Sequence, residues 1–127
     1  MISFTINHWF PVRPNTVYSA WLDSEAHGAM TGGEAQCSAE VGETFTAWDE
    51  YISGTNISLV PNSKIIQNWR TVEFADDAAD SVLTLTFSEE NDGTRLTLEH
   101  INIPEDQPDY EQGWIDNYFV PMENYFR

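Results

Sequence analysis

Lysine and cysteine are almost absent from this 127-residue sequence, which contains Lys64 as its one lysine and Cys37 as its one cysteine. A single cysteine excludes an intramolecular disulfide and is typical of proteins from a reducing compartment. Five Lys and Arg residues stand against 21 Asp and Glu residues, so the formal net charge is -16. Without a basic patch the chain cannot neutralise phosphates, and we therefore expect neither nucleic acids nor membranes as partners.

Long apolar runs, glycine-rich phosphate loops and catalytic motifs are missing as well. No stretch approaches the roughly 20 apolar residues that a membrane-spanning helix needs. The N-terminus, MISFTINHWF, lacks a basic region and alternates polar with apolar residues, which predicts a first strand and no signal peptide. These absences favour a cytoplasmic protein that is not an enzyme, and they give no reason to expect a cofactor.

Aromatic residues and acidic charge are what the sequence has in abundance. Its 7 Phe, 5 Trp and 5 Tyr supply large, stiff side chains for a core, and the length suits a single domain over residues 1–127. The acidic charge has three explanations that the sequence leaves open. It can serve solubility, it can suit high or variable salt, or it can dock the protein onto a basic partner surface.

The spacing of the apolar residues predicts an α+β fold. Alternation indicates strands, whereas the stripe formed by Trp114, Tyr118 and Met122 indicates a helix, which we expect Pro121 to kink. Asp92-Gly93 is the strongest turn signal. In chain order the prediction is a strand over 2–10, a helix over 14–22, a second short helix ending at Gly32-Gly33, strands around 34–40, 45–47, 57–59, 65–69, 82–87 and 96–100, and a helix over 109–126.

A series of short motifs occurs in order from Gly42 to Phe119, each of them weak alone. They are Gly42-x-x-Phe45, Gly54, Leu59-Val60-Pro61, Ile65-Ile66, Trp69-Arg70, Thr84-Leu85-Thr86-Phe87, Gly93-Thr94-x-Leu96, Ile103-Pro104, Gly113-Trp114 and Tyr118-Phe119. In this order and spacing the sequence resembles the C-terminal domain of the activator of heat-shock protein 90 ATPase. The resemblance covers nearly the whole chain.

The resemblance implies a fold and two kinds of partner. Such domains belong to the START-like, or SRPBCC, helix-grip superfamily, so we expect a curved antiparallel sheet of about six or seven strands with two short N-terminal helices and a long C-terminal helix. Related helix-grip proteins close a cavity with that helix, which implies a hydrophobic small-molecule ligand. The family name implies a chaperone, or another protein, as partner. The eukaryotic activator grips the chaperone with an additional N-terminal domain, for which we expect this sequence to be too short.

Two polar residues, Gln67 and His100, fall on the apolar faces of their predicted strands. If that face lines a pocket, both side chains can orient a ligand, because pockets are mostly apolar with a few placed polar groups. Alternatively, each is hydrogen-bonded within the core or lies near water at a strand end. The predicted ligand-binding residues are Phe45, Gln67, Trp69, Leu85, His100, Trp114, Tyr118 and Met122.

Other reactive side chains are scattered. His8, Cys37 and His100 are residue types that bind zinc, but they fall on separate strands without local ligand spacing, so we predict no metal site. No sequence context marks Cys37 as an activated thiol. Asp49 lies in the apolar phase of its strand, beside a turn, and is the candidate carboxylate for inward acid–base chemistry.

Three functions follow as hypotheses. The first is a non-enzymatic domain that binds an apolar or amphipathic small molecule between the sheet and the C-terminal helix. The second is a chaperone-associated interaction protein, with Trp9 and Trp48 as a contact patch if they are exposed, although we favour their being covered. The third is a cavity-based cyclase or hydrolase, as some members of the superfamily are.

Overall fold

A six-stranded antiparallel sheet packs against three helical regions in the structure, a computed structural model that describes residues 1–127. The chain ends in a helix of 17 residues that changes pitch along its length. This arrangement confirms the predicted α+β helix-grip fold. The elements are β1 (Ile2–Phe10), α1 (Pro14–Leu22), α2 (Ser24–Thr31), β2 (Thr44–Ala47), β3 (Ile52–Val60), β4 (Lys64–Thr71), β5 (Ser81–Glu90), β6 (Gly93–Ile103), α3 (Tyr110–Trp114), a π-helical segment (Ile115–Phe119) and α4 (Val120–Phe126).

The strands are arranged in the order β1-β6-β5-β4-β3-β2, with every neighbouring pair antiparallel. The register aligns apolar side chains across the sheet, since Leu85 pairs with Leu98 and Phe87 pairs with Leu96. Every second residue along β4 is buried, as alternation of side chains between two faces requires. One face of the sheet therefore carries the core, and the other faces solvent.

The core lies between this face and the helices and forms one cluster of 24 buried residues. Helix α1 contributes Val17 and Trp21, and the C-terminal helix contributes Trp114, Tyr118 and Met122. Burial of each such side chain stabilises the fold by roughly 1.5–3 kcal/mol. The rings of Trp21 and Trp114 stack with their centroids 6.1 Å apart, so the N-terminal helices pack against the C-terminal helix as well as the sheet.

The strand predicted over residues 34–40 is wrong. This segment forms one isolated bridge, between Gln36 and Thr46, because side chains bind its backbone where a ladder would. The Cys37 N–H donates to Ser24 Oγ over 2.8 Å, and the amide of Asn56 donates to the carbonyl oxygens of Ser38 and Glu40. Once satisfied in this way, the backbone of the segment gains nothing by pairing in the sheet. The sheet consequently has six strands and not seven.

We predicted a kink at Pro121, and the structure has a π-helical turn directly before this proline. The Val120 N–H donates to the carbonyl of Ile115, five residues earlier, and Pro121 follows in the first turn of α4. A proline ring crowds the carbonyl four residues before it in an α-helix, and a wider π-turn is one of the structures that relieve such crowding. The turn lies beside the cleft described below.

Candidate functional site

A cleft of about 330 Å³ lies between the sheet and the C-terminal helix and is partly open to solvent. The β2–β3 turn and the start of β3 form one wall, β4 supplies Trp69, and the helix forms the remaining wall. Six of the nine lining residues are aromatic, and none carries a formal charge. The lining consists of Trp48, Tyr51, Ile52, Trp69, Tyr110, Gly113, Trp114, Asn117 and Tyr118.

The helix places its lining residues by its periodicity. Positions 110, 113, 114, 117 and 118 follow the i, i+3, i+4, i+7, i+8 spacing that puts side chains on one face of a helix. Gly113 has no side chain on this face, and a Cβ added there would meet nothing closer than the Asn117 amide nitrogen, at 3.9 Å. The missing side chain leaves room for the cleft beside the helix.

Buried His100 fixes the orientation of Trp114. The indole N–H of Trp114 donates to His100 Nδ1 over 3.1 Å, so the imidazole proton must lie on Nε2. That nitrogen donates to Ser81 Oγ over 2.8 Å, and Ser81 donates to the carbonyl oxygen of Trp69 over 2.6 Å. Burial lowers the pKa of His100 from 6.5 to about 3, so the ring is neutral and the direction of the whole chain is set.

A second buried histidine, His27, holds Tyr118 in the cleft wall. His27 Nδ1 lies 2.8 Å from the carbonyl oxygen of Trp21, which can only accept, so this nitrogen carries the proton. His27 Nε2 therefore accepts from the Tyr118 hydroxyl, also over 2.8 Å. Burial lowers the pKa of His27, and the hydrogen bond to the Trp21 carbonyl opposes this lowering. Burial raises the pKa of Tyr118. Sequence reasoning missed His27, because its partner is 91 residues away and no local pattern marks the pair.

Two half-buried tyrosines of the lining, Tyr51 and Tyr110, form a polar cluster with the exposed carboxylate of Glu73, which lies outside the lining. The Tyr51 hydroxyl donates to the Glu73 carboxylate, and the Tyr110 hydroxyl donates to Gln107 Oε1 over 2.8 Å. The oxygens of Tyr110 and Thr71 also lie 2.7 Å apart. Burial, followed by the bond to Glu73, raises the pKa of Tyr51, so both phenols stay neutral near pH 7. This half-buried side of the lining, called the mouth below, therefore has two neutral hydroxyls with one carboxylate bonded next to them.

Trp9 and Trp48 do not form an exposed pair, which agrees with our favoured prediction that both are covered. Trp9 packs over Gly93, and its indole N–H donates to the carbonyl oxygen of Glu90 over 2.7 Å. Trp48 packs over Gly33 at the far end of the sheet, where a φ of 51° takes it out of strand β2. It therefore does not lie on a strand face. Its indole nitrogen is buried and has no hydrogen-bond acceptor.

The structure brings three of the eight predicted ligand-binding residues to the cleft: Trp69, Trp114 and Tyr118. Gln67 lies elsewhere in the core, where its amide donates to Asn56 Oδ1 over 2.9 Å while its own carbonyl oxygen is unpaired. The other five predicted residues are buried in the core and do not line the cleft, so their contact with a ligand stays a prediction. These five are Phe45, Gln67, Leu85, His100 and Met122.

The remaining reactive residues lie apart from one another. Asp49 is exposed in the β2–β3 turn and accepts the Glu34 N–H, so it is not placed for inward acid–base chemistry. Burial, with the nearby Asp23 carboxylate, raises the pKa of Cys37 to about 11, which keeps it a thiol. No group of three or more His, Cys, Asp or Glu side chains is arranged to hold a metal ion. None of the helices has the length and apolar character needed to cross a bilayer.

Relatives of this chain are found over almost its whole length. The family model of the Activator of Hsp90 ATPase homolog 1-like proteins matches residues 11–126. The human Activator of 90 kDa heat shock protein ATPase homolog 1 is 29% identical over 96% of this chain, and a Dictyostelium discoideum homolog is 31% identical over 92%. The matched regions span 36% and 31% of these two proteins, so the chain corresponds to about a third of each.

Solved structures share the fold. An HSP90 activator from Plasmodium falciparum superposes with a TM-score of 0.88 and 24% identity, covering 98% of this chain and 96% of that one. The Aha1 dimer from Colwellia psychrerythraea gives a TM-score of 0.78 with 12% identity, covering 99% and 94%. At these identities the likeness shows the fold alone. Together with the match over residues 11–126, it leads to one conclusion: the chain belongs to the family of Activator of Hsp90 ATPase homolog 1-like proteins.

Proposed function

We propose that this protein is a non-enzymatic domain that binds an apolar or amphipathic small molecule in the cleft between β4 and the C-terminal helix. The observation that carries the proposal is the cleft itself: about 330 Å³ of space walled by six aromatic side chains and Ile52. Ligand sites of roughly 300–1,000 Å³ with mostly apolar walls and few polar groups are typical of small-molecule binding. The cleft lies at the small end of that range, which favours a ligand of fragment size.

The polar groups around the cleft support binding more than catalysis. His100 and His27 are committed to bonds with Trp114 and Tyr118, and both rings are held neutral by burial. The one amide in the lining is the exposed side chain of Asn117. A polar group on a bound molecule would bond this amide and fix the orientation of the ligand.

The proposal is tested by native mass spectrometry of the purified protein, followed by a thermal-shift screen of lipids and aromatic metabolites. We expect a co-purifying molecule or a ligand that raises the melting temperature. A matched pair of variants locates the site: Gly113→Leu adds a side chain beside Asn117 in the cleft, whereas Val120→Leu changes an exposed position on the same helix. The first should abolish the stabilisation and the second should keep it. Equal stabilisation of both variants would refute the cleft as the site.

A second candidate is contact with a chaperone of the heat-shock protein 90 type. It is supported by the alignment to about a third of the human activator and by a net charge of -16, which suits a basic partner surface. The test is the ATPase rate of purified heat-shock protein 90 with and without this protein, at low and at high salt. Stimulation that weakens with salt would support the candidate. No stimulation and no binding at low salt would exclude it.

A further inference from the structure

The walls of the cleft are aromatic on more than one side. The rings of Trp69 and Tyr110 are nearly perpendicular, at 82°, with centroids 5.0 Å apart, and Trp69 meets Trp114 at 43° over 5.6 Å. Tyr118 continues the series at 54° to Trp114 over 4.7 Å. Trp48 and Tyr51 line the same cleft from the β2–β3 turn. These rings stand at steep angles to one another and do not form a parallel stack, so the cleft is bounded by aromatic side chains of differing orientation.

Aromatic rings favour one kind of polar guest. Each ring has a negative face, and a cation within about 6 Å of a ring centroid is attracted to it, by about 0.5–1 kcal/mol when exposed and about 2 kcal/mol or more when desolvated. Tryptophan is the strongest partner, and three of the five tryptophans of this chain line the cleft. A cation of the protein itself does not occupy this position, since no Lys or Arg is among the lining residues.

The charge near the cleft has the sign that a cationic guest requires. The Glu73 carboxylate is bonded to the Tyr51 hydroxyl. Burial raises the pKa of Tyr110, the bonds to Thr71 and Tyr51 oppose this, and the nearby carboxylates of Glu73 and Asp106 raise it further. The neighbouring Arg70 is already bonded to Asp80 over 2.8 Å and to two loop carbonyls. It lies over the Phe74 ring, outside the lining. An anion at this mouth would meet a carboxylate and a protein of net charge -16.

Resting on the proposed function, we infer that the ligand of the aromatic cleft carries a compact organic cation, a quaternary ammonium or an alkylated amine, held against Trp48, Trp69 and Trp114. The rings supply cation–π attraction and exclude water, and Glu73 supplies the countercharge at the mouth. A bulky alkylated head fits this lining better than a bare ammonium group, because the walls are mainly aromatic and offer the single amide of Asn117 instead of a ring of acceptors.

The experiment compares choline with its neutral carbon isostere, in which a tert-butyl group replaces the trimethylammonium group. Both are titrated into ¹⁵N-labelled protein at about 0.15 M salt, where screening suppresses long-range attraction, and the indole N–H signals are followed. We expect choline to bind about 5- to 30-fold more tightly than the isostere, the factor that about 1–2 kcal/mol of cation–π attraction produces. The Trp48 signal should shift, whereas that of Trp9, bonded to Glu90, should stay in place.

Two charge-matched variants separate a local site from the overall acidity. Glu73→Gln removes the carboxylate at the mouth, and Glu99→Gln removes an exposed carboxylate from β6. We expect the first to weaken choline binding several-fold more than the second. Equal weakening would overturn the inference, as would equal affinity for choline and the isostere, although the proposed function would then stand. If neither choline nor the isostere binds while another molecule from the thermal-shift screen binds the cleft, the inference of a cationic ligand is refuted. If nothing binds the cleft, the proposed function fails with it.

Discussion

Replacing His100 by asparagine should remove a defined part of the acid sensitivity of this fold. In the folded protein His100 is completely buried, and burial lowers its pKa from 6.5 to about 3. In the unfolded chain an exposed histidine titrates near its ordinary value of about 6.5. Between these two values the unfolded state binds more protons than the folded state. The contribution of His100 to the free energy of unfolding is therefore complete above pH 6.5 and is lost as the pH falls toward 3.

The magnitude follows from the width of this window. Within it, each pH unit changes the free energy of unfolding by about 1.4 kcal/mol per group. A change from about pH 7 to about pH 5 crosses roughly the upper 1.5 units, so His100 accounts for a loss of about 2 kcal/mol. This figure is insensitive to the folded pKa, provided that it lies well below 5. The pKa of buried His27 is also lowered, so His27 adds a loss of the same sign that stays in the variant.

The assay is urea unfolding of the wild type and of His100→Asn at several values between pH 5 and pH 7. The variant should be less stable at neutral pH, because the shorter asparagine cannot bond both the Trp114 indole N–H and Ser81 Oγ as the imidazole does. It should lose about 2 kcal/mol less on acidification. NMR titration of the wild type provides a readout that does not depend on the variant folding. Its His100 ring should keep the signature of a neutral, Nε2-protonated imidazole to about pH 4. Titration of this ring near 6.5, or equal acid sensitivity of the two proteins, would refute the reasoning.

Three further predictions concern packing and charge. Trp114→Ala should lower the free energy of unfolding by about 3–5 kcal/mol in urea titrations, because the residue is core. Gly54→Ala should cost about 1–3 kcal/mol, since its Cβ would collide with the Asn68 carbonyl and lie 2.7 Å from the Phe45 ring, whereas Gly113→Ala should gain about 0.5–1 kcal/mol in open space on a helix. Added sodium chloride should raise the melting temperature measured by calorimetry, because it screens the repulsion within a chain of charge -16.

Each of these predictions has a contradicting result. A loss below about 1 kcal/mol for Trp114→Ala would mean that the sheet does not grip the C-terminal helix. Equal effects of the two glycine substitutions would remove the reason given for Gly54, namely the close approach of β2 and β4 to its backbone. A melting temperature that stays flat from low to high salt would show that self-repulsion is not a significant cost in this fold.

The sheet was predictable from the sequence where local rules decide the backbone. β1 alternates over nine residues, and Asn91 and Asp92 adopt the positive φ values of 49° and 61° that a tight hairpin turn requires. The segment over 34–40 alternates as well, yet it is no strand, since Ser24 and Asn56 bind its backbone from elsewhere in the chain. Periodicity reports which side chains are apolar and does not report which partner the backbone finds.

The cleft was predictable in part, for a related reason. Trp69, Trp114 and Tyr118 were found from their phase on a strand and a helix, and phase is a local property. Trp48 lines the cleft because β2 ends at Ala47 and the chain turns with positive φ, which no alternation pattern announces. In the same way, a lone polar residue on an apolar face identifies a buried group, as it did for His100, without identifying its hydrogen-bond partners.

The most direct test of the central claim is a map of which tryptophans sense a small amphipathic molecule. The indole N–H signals of ¹⁵N-labelled protein are followed while neutral alcohols are added, from the choline isostere to phenylbutanol. A ligand in the cleft should shift the signals of Trp48, Trp69 and Trp114 and leave that of Trp9 unchanged. Trp9 is bonded to Glu90, which lies nine residues, or about 30 Å, along β5 from Ser81, the residue bonded to Trp69. Uniform small shifts that include Trp9, or no shift up to the solubility limit of each alcohol, would contradict a binding cleft under the C-terminal helix.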